Sequence, residues 1–115
     1  MTLNEYQQAA GRTSGAPWPE RERLLVQTLG LCGEAGEVAD LVKKDAWHGQ
    51  PLTDERLCDE LGDVLWYLAD VARARGIDLE LVAARNIAKL ERRYPDGFVV
   101  GGGVRGQLGD DASGR

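Results

Sequence analysis

The chain has one histidine and two cysteines, Cys32 and Cys58, among its 115 residues. That scarcity excludes several chemistries. Structural zinc is held by sets of Cys and His, and these two cysteines stand too far apart for a CxxC clip. A ferritin-like di-iron centre needs Glu-x-x-His on two helices, and His48 is the only histidine. Two cysteines are too few for a disulfide framework. Each lies among apolar neighbours in a helical pattern, so both are expected to be buried free thiols. No run of about 18 apolar residues is present, so no membrane span is expected. The N-terminal MTLNEYQQAA has no basic start followed by an apolar stretch, so no secretory signal is expected and a cytoplasmic location is. Basic residues are also in the minority, 14 Lys and Arg against 19 Asp and Glu, for a net charge of −5. General affinity for a nucleic-acid backbone is therefore not expected. A phosphorylated small molecule stays compatible, provided a metal ion stands between acids and phosphates.

What the chain does contain is helical periodicity. Hydrophobic residues make up 43%, enough for the core of one domain, placed at residues 1–100. Thr2-Leu3-Asn4-Glu5 has the capping-box pattern, so a first helix starts there and ends near Gly11. A second is expected from about Glu20 to Ala46, with Leu24, Leu25, Thr28, Leu31, Cys32, Ala35, Val38, Ala39 and Val42 facing the core. Trp47-His48-Gly49-Gln50-Pro51 breaks it. Thr53 is the expected N-cap of a third helix, buried through Leu57, Leu61, Val64, Leu65, Leu68, Val71 and Ala72 and stopping at Gly76. Asp78 is the expected cap of a fourth, with Leu79, Val82, Ala83, Ile87, Leu90 and Tyr94 inward and Pro95-Asp96-Gly97 at its end. No segment alternates long enough to make a strand. Residues 101–115 are glycine-rich and read as a flexible tail.

Two of these helices carry paired acids. Glu34 and Glu37 stand three apart on the second, and Glu60 and Asp63 on the third. Residues at i and i+3 lie about 60° apart around a helix. Both pairs sit at the same angular offset from their apolar stripes, so packing the helices together brings four carboxylates to one margin. Val38 and Val64, not basic residues, follow the first acid of each pair at i+4, so intrahelical ion pairing does not account for them. Carboxylates among apolar neighbours are costly unless paired or bound to metal. An all-oxygen set suits Mg²⁺ or Mn²⁺. On the fourth helix Asn86, Lys89 and Arg93 share a face suited to phosphate oxygens. Gly30, Gly33 and Gly36 form a strip beside the acids, expected to admit the metal, the phosphates or a neighbouring helix.

In this order the motifs resemble the MazG-like, all-alpha nucleoside triphosphate pyrophosphohydrolases. Glu34-x-x-Glu37 followed by Glu60-x-x-Asp63 is similar to that family's metal-binding ExxE…ExxD signature. DELGDVLWYLA (59–69) is close to its second motif, and NIAKLERRYP (86–95) resembles the segment with which it holds phosphates. The similarity spans about residues 2 to 98. Many members carry a further acid before the first pair, giving EExxE; Gly33 stands there in this chain, which bears on the number of ions.

The resemblance implies an all-α, four-helix bundle-like fold without a sheet, and hydrolysis of a nucleoside triphosphate to the monophosphate and pyrophosphate. It implies that Glu34, Glu37, Glu60 and Asp63 hold Mg²⁺, with Mn²⁺ as a substitute, and that Glu34 or Glu37 accepts the proton of the attacking water. Asn86, Lys89 and Arg93 would bind the phosphates, with Trp47 and His48 in a loop near the substrate. Trp66 and Tyr67 are further candidates for stacking on a base, core packing being the better account of Trp66. A homodimer or homotetramer is implied. Two alternatives stay open: a phosphoribosyl-ATP pyrophosphohydrolase on the same scaffold, and a helical module that binds nucleotides or partners without turnover.

Overall fold

The structure, a computed structural model, describes residues 1–15 and 18–98. Among them there are four helices and no strand: α1 Leu3–Gly11, α2 Glu20–His48, α3 Asp54–Ala74 and α4 Leu79–Arg93. The all-α expectation is met. The glycine-rich tail expected at 101–115 lies outside the described residues. Residues 1–79 form one compact unit and the chain from residue 80 belongs to a second. No described helix is long and apolar enough to cross a membrane.

The helix boundaries follow from local chemistry. The Glu5 backbone N–H donates to Thr2 Oγ1 at 3.1 Å and the Thr2 N–H donates to Glu5 Oε2 at 2.8 Å, so the capping box starts α1. Thr53 Oγ1 accepts from the Arg56 N–H at 3.2 Å and opens α3. Helix α2 runs to His48, two residues beyond the expected Ala46, because Gly49 (φ 65°) takes the left-handed conformation that closes a helix. Gly76 (φ 68°) does the same after α3.

In the first unit α3 is central, with α2 along one side and α1 on another. Gln7 docks α1. It is buried, its Nε2 donates to the carbonyls of Ala69 (3.1 Å) and Ile77 (3.0 Å), and its Oε1 accepts from the Leu79 N–H (2.9 Å). Both the amide nitrogen and the amide oxygen of Gln7 are thus hydrogen-bonded, as burial of an amide requires.

A second polar hub joins three elements at Asp70, only 3% exposed. Its Oδ1 accepts from Arg23 Nη2 and Arg73 Nε, both at 3.0 Å, and its Oδ2 from Gln27 Nε2 at 2.6 Å and Ser14 Oγ at 2.9 Å. Burial alone would push this carboxyl up. The hydrogen bonds from Gln27, Ser14, Arg23 and Arg73 outweigh it and hold Asp70 below its ordinary value. Nearby, Trp66 Nε1 donates to Thr13 Oγ1 at 2.7 Å, so the segment after α1 is tied down by both Thr13 and Ser14.

The buried apolar set is small: Leu41, Ala69, Ala72 and Leu79. The expected inner stripe of α2 needs correction. Its buried or partly buried positions include the line Leu24, Gln27, Leu31, Glu34, Val38 and Leu41, at alternating steps of three and four, with Arg23, Gly30, Asp40 and Lys44 partly buried beside it. Leu25, Thr28, Cys32, Ala35, Ala39 and Val42, expected inside, are exposed. On α3, Leu57, Val64 and Val71 are partly buried and Ala72 is buried, whereas Leu61, Leu65 and Leu68 are exposed. Helix α4 buries Leu79, partly buries Ala83 and exposes Val82, Ile87 and Leu90, and Tyr94, just past its end, is partly buried. Both cysteines are exposed rather than buried. The reason is common to these residues. Apolar side chains occur on two faces of α2 and of α3, while the packed line itself includes polar Gln27 and Asp70. A stripe drawn from hydrophobicity therefore averages an inner and an outer face.

Candidate active site

The packed line of α2 carries Glu34, and α3 brings Glu60 and Asp63 against it. One carboxylate oxygen from each of these three residues lies within 4.8 Å of the others, the acidic group among the described residues with the spacing of a metal site. Glu34 and Glu60 are partly buried and Asp63 is exposed, so the set sits at the margin of the helix pair. Glu37 is exposed one helical turn away and is not part of this close set, though its charge acts on Glu34.

The electrostatics follow from that crowding. Partial desolvation first, then the charges of Asp63, Glu60 and Glu37, lift the Glu34 carboxyl above its ordinary value. Helix α1 adds a residue that sequence reasoning did not select. The Tyr6 phenol is raised by burial and then by the charge of Asp63, so it lies within reach of that carboxylate's field. Nothing in the sequence alone says which part of α3 faces α1.

The glycine strip divides by role. Gly30 is a seat for Tyr67: a Cβ built there would overlap Cε1, Cδ1 and Cζ of the ring, so only glycine lets α3 approach. A Cβ at Gly33 or Gly36 would meet nothing within 4 Å. Tyr67 is thereby committed to helix packing, with Trp66 edge-on at 4.9 Å between centroids and an interplanar angle of 84°. Trp66, hydrogen-bonded to Thr13, is likewise a packing residue.

The other candidates are not members of this close set. Trp47, 80% exposed, and exposed His48 end α2, ten residues or about 15 Å along the helix from Glu37. Asp40, between them and the acids, pairs with Lys43 (3.2 Å) and Lys44 (2.8 Å). Those hydrogen bonds hold Asp40 below, and Lys44 above, their ordinary values. Asn86, Lys89 and Arg93 are on α4, in the second unit. Asn86 and Lys89 are exposed and Arg93 is partly buried. A cavity of about 370 Å³ bounded by Asn4, Gln7, Gln8, Arg73, Ile77 and Asp78 contains none of the acids, so it is not the site of this chemistry.

Comparison with known proteins agrees with this arrangement. No solved structure matches the chain. The "Gene 37 protein" of Mycobacterium phage L5 is 39% identical over 112 residues, covering 90% of this chain and 97% of that protein. The family described as the MazG nucleotide pyrophosphohydrolase domain matches residues 24–98, a stretch containing all four candidate ligands and the α4 residues. With the carboxylates converging where the two motifs meet, the chain belongs to the MazG nucleotide pyrophosphohydrolase domain family.

Proposed function

We propose that this protein is a Mg²⁺-dependent pyrophosphohydrolase that cleaves a nucleoside or deoxynucleoside triphosphate to the monophosphate and pyrophosphate, with a part in nucleotide-pool housekeeping in the cytoplasm. The observation that carries the proposal is the close approach of Glu34, Glu60 and Asp63 oxygens, within 4.8 Å, in a MazG-family chain. The donor set fits a hard divalent cation: three carboxylates with no imidazole or thiolate among them. The raised Glu34 carboxyl fits as well, because a cation would relieve the crowding of like charge.

Glu34, Glu37, Glu60 and Asp63 are the residues that would hold Mg²⁺, with Mn²⁺ as a substitute. When bound, the ion supplies Lewis-acid neutralisation of the polyphosphate charge. The chain's own residues account for the remaining roles. Glu34, whose affinity for a proton is already increased, is the first choice to accept the proton of water, and exposed Glu37 is the second. Asn86, Lys89 and Arg93 bind phosphate oxygens, as donors suited to charge-assisted hydrogen bonds. Trp47 and His48 contact the base or sugar; an indole with 80% of its surface exposed is open to a ligand.

The protein is also proposed to be a homodimer or homotetramer. Exposed apolar side chains support this: Leu25 and Leu29, one turn apart on α2, and Leu61, Leu65 and Leu68, one turn apart in sequence on α3, are the kind of surface that marks an interface. Light scattering on the wild type should give a dimer or tetramer mass, and Leu29→Asp or Leu65→Asp should lower it. A monomeric wild type sinks the proposal.

The activity is tested by incubating the protein with a panel of NTPs and dNTPs plus Mg²⁺ and measuring monophosphate and pyrophosphate. Equimolar release is expected from at least one substrate. Turnover of phosphoribosyl-ATP alone would move the assignment to the related pyrophosphohydrolases. Mg²⁺-dependent binding by calorimetry without turnover would make the protein a nucleotide-binding module.

A further inference from the structure

Helix α3 has a face that neither α1 nor α2 uses. Tyr67 and Asp70 meet α2 at Gly30 and Gln27. Trp66 and Ala69 meet Thr13 and Gln7 of the α1 segment. Leu65 stands two residues from Tyr67, about 200° of helix rotation, and so on the side away from α2. Leu61, Leu65 and Leu68 are exposed there, and exposed Cys58 precedes them. Ala72, whose carbonyl accepts from the Ile77 N–H at 2.9 Å, follows and is buried.

The spacing is that of a coiled-coil seam. Cys58, Leu61, Leu65, Leu68 and Ala72 follow at steps of three, four, three and four, the 3.5-residue repeat that keeps an apolar row against a partner helix. The same alternation continues by one step at each end, and there it meets charge: exposed Asp54 lies four residues before Cys58, and exposed Arg75 three after Ala72. Arg75 reaches Glu20 at 3.6 Å, but both side chains are largely exposed, and such pairs contribute little. Read backwards, the seam is its own complement. About a two-fold axis near Leu65, an antiparallel second copy sets Leu61 beside the partner's Leu68 and Cys58 beside the partner's Ala72. It also sets Asp54 beside the partner's Arg75, at both ends of the pair. A parallel copy would instead oppose Asp54 to Asp54 and Arg75 to Arg75. Only a copy running the other way matches acid with base and apolar with apolar, the self-complementarity that a two-fold interface requires.

We propose that this face of α3 is where two copies of the chain pair, antiparallel and centred near Leu65, with Asp54 and the partner's Arg75 closing each end. The proposal rests on the homo-oligomer reading above and adds the helix, the face and the direction. None of the seam residues belongs to the acid set.

The test is a charge exchange, read as the dissociation constant from sedimentation over a dilution series. Asp54→Arg and Arg75→Asp each turn two attractive contacts per pair into repulsive ones and should weaken association roughly 10-fold. The double variant restores opposite charges and should return to within about threefold of wild type. Within one chain the two residues are about 30 Å apart along α3, so a rescue cannot arise inside a single copy. If both acted only through the dipole of their own helix, the double variant would be the weakest of the three. A second readout uses native Cys58 as a spin-label site, with Cys32→Ser removing the other thiol. Dipolar electron paramagnetic resonance should give a shortest Cys58–Cys58 separation of about 20–25 Å, from an axial offset of twice the distance to Leu65; a parallel pair would bring them within about 10 Å. Should a charge variant fold poorly, this distance still decides. A double variant no tighter than the weaker single variant, or a Cys58 separation near 10 Å, overturns the antiparallel seam while leaving the oligomer. A wild type that stays monomeric throughout the series overturns the oligomer reading itself.

Discussion

Replacing Asp70 by Asn keeps the shape of the side chain and removes its charge from between two arginines. Asp70 is 3% exposed, while the Arg23 and Arg73 side chains are 21% and 35% exposed. Deleting one partner of a buried ion pair costs about 3–5 kcal/mol. Because water reaches part of both guanidinium groups, the lower end applies, about 3 kcal/mol. Ser14 and Gln27 can re-form their hydrogen bonds to an amide, so they add little. For a domain of this size each kcal/mol moves the melting temperature by about 4–8 °C, which gives a loss of about 12–24 °C at pH 7. The pH dependence has a definite sign. The folded-state carboxyl is held below its ordinary value, so its contribution is fully present above the unfolded value of about 3.9 and is lost as pH falls through the lower folded value. Thermal melts followed by circular dichroism should show the full gap between wild type and Asp70→Asn at pH 7 and pH 5, narrowing below about pH 4. A gap under about 3 °C at pH 7, or one that persists unchanged into strong acid, would refute the reasoning.

Other outcomes follow from the same contacts. Gly33→Ala and Gly36→Ala each add a Cβ that meets nothing within 4 Å, so each should stabilise the protein by about 1 kcal/mol, whereas Gly30→Ala, colliding with Tyr67, should destabilise it; three equal shifts on thermal melting would contradict this. Glu34→Gln should raise the melting temperature of the metal-free protein at pH 7, since partial desolvation and then the charges of Asp63, Glu60 and Glu37 disfavour the charged form, and should abolish the rise that Mg²⁺ gives the wild type. That rise corresponds to about 2.7 kcal/mol at 100 times the dissociation constant, and a variant that keeps it would argue against Glu34 as a ligand. Trp66→Phe removes the 2.7 Å bond to Thr13 and should cost about 1 kcal/mol in chemical denaturation, with no change in substrate KM if Trp66 is a packing residue.

Much of the fold was legible because its signals are local. The Thr2–Glu5 box, the Thr53 cap and the glycine stops need only neighbours within a turn. The acid pairs were legible for a similar reason: i, i+3 spacing fixes their direction on each helix, and helix pairing does the rest. The inner face of α2 was not, because Leu25, Leu29 and Val42 are as apolar as Leu24, Leu31 and Leu41, and hydrophobicity alone does not say which row meets α3. Gln27 and Asp70 escaped notice since a polar residue reads as surface until its partners, 43 residues apart in sequence, are known. Of the three glycines expected to admit a metal, phosphates or a neighbouring helix, Gly30 receives a side chain of α3, and a Cβ at Gly33 or Gly36 would meet nothing within 4 Å. Glu37 matched Glu34 in the motif, yet its place one turn further round leaves it outside the closest set.

The central claim is that the carboxylates where α2 meets α3 are the catalytic centre of a pyrophosphohydrolase. The most direct measurement is steady-state pyrophosphate release, with the best (d)NTP and Mg²⁺, by wild type, Glu34→Ala, Glu37→Ala, Glu60→Ala and Asp63→Ala, each verified as folded by circular dichroism. Activity should fall at least about 100-fold in Glu34→Ala, Glu60→Ala and Asp63→Ala, the scale expected when a group that stabilises developing charge is removed, and to a lesser degree in Glu37→Ala. Full activity in Glu34→Ala or Asp63→Ala, or a wild type that releases no pyrophosphate from any nucleotide, would contradict the account.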